Sequence, residues 1–269
     1  MSESLAMRFL YGTAFGRFLL KPFVKSSWFS NVGAKYLSSP LSKRMISRYV
    51  KKYNINLQEF DQQTFPSFND FFKRTKTLEI FPNPQNVISP CDAYLSIYRI
   101  SDELQLPIKH SQYTITDLLE DKDLSQKFAG GLCCVFRLEP KHYHHYVYTV
   151  GGDILTTKRI DGVLHSVRPI ACEAYPVWFQ NSREYTVIKN VVFGDVVQME
   201  IGALLVGKIC NQANTQAVQG QEKGYFEFGG STIMVLFQNH FVSLTQELQN
   251  IIDSGEEIPI EIGKVLGTV

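Results

Sequence analysis

A serine in an unusual setting is the first candidate for chemistry in this sequence. Ser231 follows Gly229 and Gly230 and precedes the apolar run from Thr232 to Phe237. Glycine adopts backbone angles that are closed to other residues, so a hydroxyl held in such a turn can approach the carbonyl group before it. This geometry would let Ser231 attack the carbonyl of Gly230. A Gly-Ser-Thr turn before a strand is common, so the segment alone is weak evidence.

The second candidate is a histidine-rich segment. Three of the six histidines of the chain, His142, His144 and His145, fall within four positions. Imidazole is the side chain best suited to transfer protons near neutral pH. In an extended segment His142 and His144 would share one face, and His145 would point away. A zinc site needs further Cys, Asp or Glu ligands at suitable spacing, and the local sequence offers none, so no metal is predicted. Purely structural histidines remain an open alternative.

The third candidate is a carboxylate, Asp92, in the segment Ser89-Pro-Cys-Asp-Ala93. An acid after a proline turn is commonly a turn former. It could instead orient a histidine, as the acid of a catalytic triad does. A serine hydrolase of the usual kind places its nucleophile in Gly-x-Ser-x-Gly between a strand and a helix. Ser231 is followed by Thr-Ile-Met-Val, so that motif is absent.

The elements that must position these residues indicate an α+β fold. We expect a β-rich core of mostly antiparallel sheets, because short apolar runs alternate with Gly, Pro and Asn from Val87 onward. We expect amphipathic helices at the N-terminus, with Ser42 capping a helix that ends near Tyr53, and a short helix capped by Ser67 and Asp70. The predicted strands are 133 to 138, 145 to 150, 185 to 193, 196 to 206 and 233 to 237, and one later helix is predicted at 241 to 251. Adjacent Cys133 and Cys134 should face opposite sides of their strand.

Charge is distributed unevenly along the chain. Residues 1 to 52 contain ten Lys or Arg and one acid, a balance of +9, and the remainder has a balance of −8. Such asymmetry indicates an anionic partner for the N-terminal region. Its interleaved aromatic residues favour a lipid surface, although they could equally pack on the main domain. The acidic remainder argues against a nucleic-acid partner. No segment has the ~20 consecutive apolar residues of a spanning helix, so we expect peripheral attachment.

The order of these segments along the chain carries a resemblance. The basic aromatic N-terminus is followed by Ser67-Phe-Asn-Asp-Phe-Phe-Lys-Arg74, then by the Asp92, His144 and Ser231 segments; further matches are residues 162 to 169, 181 to 184 and 202 to 207. In this order the motifs resemble those of the phosphatidylserine decarboxylase proenzyme family, from about residue 8 to 240.

The resemblance implies a function and a set of site residues. Ser231 would attack the Gly230 carbonyl, and the chain would separate into a β chain (1 to 230) and an α chain (231 to 269) that begins with a pyruvoyl group derived from Ser231. That cofactor would decarboxylate phosphatidylserine to phosphatidylethanolamine through a Schiff base with the substrate amine. Asp92 matches the family's triad acid, and His144 matches the first histidine of its Asp-Tyr-His-Arg segment.

The same resemblance implies a cellular setting and partners. Residues 1 to 64 would form a basic amphipathic region that associates with the cytoplasmic side of the cell membrane, and residues 65 to 269 would form the catalytic domain. The partners would be phosphatidylserine, an anionic membrane surface and the two cleaved chains as a heterodimer. A homodimer of this pair is left open.

The sequence also departs from the family pattern. His142 replaces an acid, His145 replaces an arginine, and Ala93 replaces a glycine. Val147 stands where many members carry a second histidine, the base for self-cleavage. The base could therefore be His144, His145 or His165, and His144 is our prediction. Two other functions stay open: a membrane-binding homologue that does not process itself, and a hydrolase that uses uncleaved Ser231.

Overall fold

The computed structural model describes residues 5–13, 15–16, 32–33, 35–108, 111–163, 165, 177–202, 208–227 and 231–269. Gly229 and Gly230, which precede Ser231, lie outside these residues. Seven short α-helices and sixteen strands are present in the described part of the chain. The helices are α1 (Leu5–Gly12), α2 (Arg44–Tyr53), α3 (Phe68–Phe72), α4 (Ile115–Leu119), α5 (Lys122–Gln126), α6 (Val177–Gln180) and α7 (Gln246–Gln249).

The strands account for most of the regular structure from residue 86 onward. They are β1 (Asn86–Ile88), β2 (Ala93–Arg99), β3 (Gln105–Ile108), β4 (Ser111–Thr114), β5 (Leu132–Leu138), β6 (His145–Val147), β7 (Gly152–Ile160), β8 (Arg183–Asn190), β9 (Gly194–Ile201), β10 (Ile209–Asn211), β11 (Gln216–Ala217), β12 (Glu222–Phe226), β13 (Ser231–Phe237), β14 (Ser243–Leu244), β15 (Ile258–Ile260) and β16 (Val265–Thr268). The prediction of a β-rich α+β fold is confirmed.

An eight-stranded sheet forms the centre of the molecule. Its order is β11-β7-β8-β9-β13-β5-β2-β15, and all its paired neighbours run antiparallel. The strand that begins with Ser231, β13, lies in the middle between β5 and β9. Every residue of β13 is buried, as expected for a strand that is covered on both faces.

Two apolar layers cover the two faces of this sheet. Side chains of a strand alternate between faces, so Met234 and Leu236 pack in one layer with α4 and α5, while Ile233 and Val235 pack in the other. The second layer is closed by a small sheet of β10, β12 and β6 and by a sheet of β1, β16 and β14. Cys133 and Cys134 fall in different layers, which confirms their predicted opposite orientation.

The N-terminal region packs on the main domain and also presents exposed aromatic and basic side chains. Tyr11 of α1 is buried in the core, whereas Phe9 and Phe15 are exposed. On α2 the apolar side packs against α3 in a small cluster that includes Phe68 and Phe71. The four basic side chains of α2 and that of Lys43, the residue before it, face solvent: Lys43, Arg44, Arg48, Lys51 and Lys52. No helix in the described part of the chain is long and apolar enough to cross a membrane.

The structure corrects the predicted role of Ser42. A 3₁₀ turn (Pro40–Lys43) continues directly into α2, so Lys43 rather than Ser42 holds the cap position and no side chain caps the helix. The buried Ser42 hydroxyl instead accepts a hydrogen bond from the backbone N–H of Phe68, at 2.9 Å. The predicted cap of α3 is confirmed, because Ser67 accepts from Asp70 N and donates to its carboxylate.

Other predicted boundaries also shift. The helix predicted at 241 to 251 is reduced to α7, because Ser243 and Leu244 pair with β16 as a strand. Strand β8 ends at Asn190 and β6 at Val147, both three residues earlier than predicted. The predicted end of β9 falls partly on residues 203 to 207, outside the described residues.

Candidate active site

Ser231 is the first residue of β13 and has no contact with solvent. Its position in the strand puts its side chain on the same face as Ile233 and Val235, towards the layer that contains β6 and β12. Its hydroxyl has no hydrogen-bond partner among the described residues. A buried polar atom without a partner costs about 1–3 kcal/mol and calls for an explanation.

Sheet register brings the three predicted site segments to one end of the sheet. Thr232 pairs with Arg137, and Arg137 pairs with Tyr94 on the next strand. Neighbouring strands lie ~4.8 Å apart, so roughly 10 Å separate the backbones of β13 and β2 in this row. Ser231 and Asp92 lie just outside the row at the same end. Strand β5 also finishes there, and the loop that follows leads to His144.

His144 is fully buried immediately before β6. Its ring stacks on Phe72 with centroids 3.8 Å apart, and its carbonyl accepts a hydrogen bond from Phe226 N at the end of β12. Neither ring nitrogen makes a hydrogen bond of ordinary geometry with a described residue. Burial, with smaller effects from Arg74 and neighbouring histidines, holds the pKa of His144 well below its usual value. The ring is therefore neutral at physiological pH, the form in which a base accepts a proton.

The other predicted bases occupy different surroundings. Both ring nitrogens of His145 are engaged, Nδ1 with Glu222 and Nε2 with the carbonyl of Lys73, each at 3.0 Å. His165 lies beside Tyr11, on the other side of the central sheet from the layer that Ser231 faces. Burial lowers the pKa of His165 to about 4.

His142 also departs from its predicted place, because residues 139 to 144 form a turn rather than an extended strand. His142 Nδ1 accepts a hydrogen bond from Glu139 N, which closes the turn. Burial, followed by the charge of Lys141, lowers the pKa of His142 to about 4. The ring lines an open cavity of about 640 Å³, while His144 faces the interior, so the two do not share a face.

Asp92 lines the same cavity as His142. Its Oδ2 pairs with Lys76 Nζ at 3.2 Å, and its Oδ1 accepts from Ile262 N at 2.8 Å. Among the described residues no hydrogen bond joins Asp92 to His144. Val147, where the resemblance leads us to expect a histidine, donates its backbone N–H to Pro90 O. A valine side chain offers Asp92 no donor, so the carboxylate binds lysine and backbone instead.

A second polar cluster lies behind β6 and was missed by the sequence analysis. Glu200, fully buried, accepts hydrogen bonds from Lys223 and from Asn211, the latter at 3.0 Å. Asn211 also donates to Glu184 and accepts from the hydroxyl of Tyr146. We call these residues the Glu200 network. A charged residue inside a predicted strand, Glu200, was its main trace in the sequence, and nothing there indicates the partners of that residue.

Comparison with known proteins gives the fold and site a family. The profile of the phosphatidylserine decarboxylase family matches residues 68–265. The chain belongs to the phosphatidylserine decarboxylase family. It is similar to phosphatidylserine decarboxylase proenzyme 2 of Clostridium acetobutylicum, at 39% identity over 97% of this chain and 91% of the relative. The proenzymes of Clostridium novyi (35% identity) and Fusobacterium nucleatum (32%) also match 97% of this chain and 92% and 90% of their own.

Membership confirms the resemblance drawn from the motif order, and with it the prediction of an enzyme of the decarboxylase class. The matched relatives are named as proenzymes, a name that fits a chain made for later processing.

Proposed function

We propose that this chain is a phosphatidylserine decarboxylase that cleaves itself between Gly230 and Ser231. The catalytic residues of the proposal are Ser231 and His144; the role of Asp92 as triad acid stays a prediction from the family resemblance, because its described contacts are with Lys76 and Ile262 N. The observation that carries it is the pair of buried, unpartnered polar groups at one end of the central sheet, Ser231 Oγ and the His144 ring, in a chain of this family.

Self-cleavage needs no reactant other than the chain and one water molecule. His144 takes the Ser231 hydroxyl proton, and Oγ attacks the Gly230 carbonyl carbon. The peptide C–N bond breaks as the C–O ester bond forms, and the nitrogen of residue 231 becomes an amine. Removal of the Cα proton of residue 231 then expels the Gly230 carboxylate. Water then adds at Cα of residue 231, the Cα–N bond breaks and ammonia leaves. Residue 231 becomes a pyruvoyl group.

The surroundings of Ser231 fit a pyruvoyl group. A pyruvoyl group has no hydroxyl, so its formation removes the buried donor that lacks a partner in the uncleaved chain. When present, its carbonyl supplies the electron sink that amino-acid decarboxylation requires. The chain itself contributes the buried, neutral imidazole of His144. This ring can return a proton to the substrate carbon that has lost carbon dioxide.

His144 is the base that the contacts favour. The ring nitrogens of His145 are already engaged by Glu222 and Lys73. His165 belongs to the layer on the other side of the sheet. His144 has free ring nitrogens among the described residues, adjoins the end of β12 and lies in the layer that Ser231 faces.

The two proposed chains would stay together as a heterodimer after cleavage. Strand β13 of the α chain is held between β5 and β9, and β15 and β16 pair with β2 and β1. Arg137 also forms a two-pronged ion pair with Glu257, at 2.9 and 2.6 Å. Cutting one peptide bond before β13 leaves all of these contacts intact.

We also propose that the basic face of α2 meets an anionic lipid surface. Its five exposed cations, from Lys43 to Lys52, contribute ~1 kcal/mol each near such a surface. The exposed Phe9, Phe15 and Leu41 could enter the interface beside them. Residues 1 to 64 would then deliver the catalytic domain, residues 65 to 269, to its lipid substrate.

A homologue that binds membranes without processing itself is the second candidate, and Val147 favours it. Val147 is buried and leaves Asp92 without the histidine partner of many relatives. Such a protein would keep the fold and the basic N-terminus but remain one chain. A hydrolase that uses uncleaved Ser231 is disfavoured, because the hydroxyl is closed off from solvent and from any second substrate.

Incubation with lipid tests the proposal. Purified protein mixed with phosphatidylserine vesicles should release carbon dioxide and form phosphatidylethanolamine, whereas the Ser231→Ala variant should form none. Vesicle binding without product by the wild-type chain would favour the non-processing homologue.

A further inference from the structure

The last residue of α3 and the four residues after it contact the segment that carries the three clustered histidines. Residues 72 to 76 and residues 141 to 145 are nearly seventy positions apart in the sequence, yet five successive contacts join them. We call residues 72 to 76 the clamp. Its individual contacts are of different kinds, which makes the register between the two segments specific.

Arg74 lies at the centre of the clamp. Its Nη2 donates to the carbonyls of Lys141 and His142, both at 3.0 Å, and its Nη1 donates to Phe71 O at 3.3 Å. The guanidinium stacks between the rings of Phe60 and Phe71, at 4.6 and 4.9 Å. Only 2% of the residue is exposed.

The flanking clamp residues hold the neighbouring positions. The Phe72 ring lies on His144, and the Lys73 carbonyl binds the His145 ring. The Lys76 ammonium lies 4.8 Å from the centre of the Tyr143 ring. With these contacts the His144 ring has little freedom to rotate or shift, although its own nitrogens make no bond that would fix it.

The charge of Arg74 has no contact partner of opposite sign. Among the described residues no carboxylate forms an ion pair with it; its contacts are carbonyls and rings. Burial lowers the pKa of Arg74 to about 10, with Tyr49 and Asp92 acting in the opposite direction. The guanidinium therefore stays charged at neutral pH, and it binds the carbonyl of His142, two residues before His144.

We infer that Arg74 is a positioning residue for His144: it fixes the turn that carries this histidine and places a buried positive charge against that turn. The inference rests on the proposed function, since it takes His144 as the base. The effect of the charge can be separated from the effect of the hydrogen bonds. Lysine at position 74 keeps the positive charge, whereas glutamine keeps N–H donors without the charge.

The sign of the electrostatic effect follows from the groups that face His144. These are Arg74 from the clamp and His142 and His145 from its own segment; the charges of all three lower the pKa of His144, whereas the backbone of His142 acts in the opposite direction. Loss of the Arg74 charge would therefore raise the pKa of His144. A base must be neutral to act, so the acidic limb of the self-cleavage profile would move to higher pH.

The test compares Arg74→Lys with Arg74→Gln in the full chain, following the rate of self-cleavage against pH. Both variants should cleave more slowly, by about 10²-fold, because small displacements of a reacting group are costly. The acidic limb should move to higher pH in Arg74→Gln and stay in place in Arg74→Lys. Arg183→Gln is the matched control, because Arg183 is a buried arginine that also binds backbone carbonyls, including those of Leu118 and Asp117. It should leave the limb unmoved.

A second measurement does not depend on cleavage. In the Ser231→Ala background, NMR titration of the His144 ring should give a higher pKa after Arg74→Gln and an unchanged pKa after Arg74→Lys. An unmoved His144 titration in a folded Arg74→Gln variant would overturn the inference. If neither Arg74 variant folds while Arg183→Gln does, Arg74 is a folding residue and the positioning role is rejected.

These outcomes separate the inference from the proposed function. A wild-type chain that cleaves, a His144→Ala variant that does not, and Arg74 variants with wild-type rates and profiles would reject the positioning role alone. A wild-type chain that never cleaves would reject self-processing, and the NMR titration would then decide the role of Arg74 by itself.

Discussion

Two buried polar regions lie close together in this molecule and are built in opposite ways. In the Glu200 network every charged group has a partner: Lys223 and Asn211 bind Glu200, and Asn211 also binds Glu184 and Tyr146. At the end of β13, by contrast, the Ser231 hydroxyl and both His144 nitrogens have none among the described residues. Ser231, His144, Glu200 and Lys223 are buried, whereas Asn211 and Glu184 at the edge of the network are partly exposed.

The difference teaches how to assign the two regions. A fully paired buried network rigidifies a core, and here it holds β6 against the central sheet. An unpaired buried group costs stability and is retained in a native protein when it has another use. We therefore assign stability to the Glu200 network and chemistry to the Ser231 and His144 pair.

The largest expected effect comes from removing the nucleophile. Ser231→Ala should abolish cleavage completely, because no other group can form the ester with Gly230. Thr232→Val is the matched control: Thr232 is also a buried hydroxyl without a partner among the described residues, but the alternation of β13 turns it to the opposite face. Gel analysis of the purified variants should show one band for Ser231→Ala and two for Thr232→Val. Two bands from Ser231→Ala would remove Ser231 from the site.

Removal of the proposed base comes next. His144→Ala should slow self-cleavage by about 10²–10⁴-fold, the usual contribution of a general base. His145→Gln and His165→Gln are the comparisons, and both should still cleave, measured as the fraction of split chain against time. If His165→Gln stopped cleavage and His144→Ala did not, the base would lie on the other side of the sheet.

The Glu200 network should respond in stability rather than in cleavage. Lys223→Met leaves Glu200 buried without its cation and should lower the free energy of unfolding by about 3–5 kcal/mol. Denaturant titration measures the loss, and the double variant Glu200→Gln with Lys223→Met should recover part of it. A Lys223→Met chain of normal stability that fails to cleave would reverse our assignment of the two regions.

The smallest effect is expected at Asp92. Asp92→Asn keeps an oxygen acceptor for Ile262 N and loses the partly exposed ion pair with Lys76, and exposed pairs are worth about 0.2–1 kcal/mol. From these contacts we expect cleavage to slow by less than about tenfold, whereas removing the charge of a triad acid costs about 10⁴-fold. Time courses of cleavage distinguish the two values, and a loss near the larger one would establish Asp92 as the triad acid.

The sequence predicted what depends on local patterns. Short apolar runs bounded by Gly, Pro and Asn located β5 and β13, and the Ser67 and Asp70 spacing predicted the cap of α3. It did not predict contacts between distant segments. Ser42 binds Phe68 rather than its own helix, and Arg74 binds a turn nearly seventy residues away. The extended form expected for His142 to His144 was wrong because a hydrogen bond from Glu139 N closes a turn there.

Candidate site residues followed from motif order, whereas their surroundings did not. Ser231, His144 and Asp92 were chosen by resemblance, and register places their segments at one end of the sheet. Asp92 pairs with Lys76 because the buried Val147 side chain offers its carboxylate no donor. The motif around Asp92 gives no indication of this pairing.

The intact mass of the purified protein under denaturing conditions tests the central claim most directly. The account predicts two chains, residues 1 to 230 and residues 231 to 269, with the smaller one lighter than a serine-started peptide by one ammonia. A single full-length chain that persists on incubation with phosphatidylserine vesicles would contradict self-cleavage and favour the non-processing homologue.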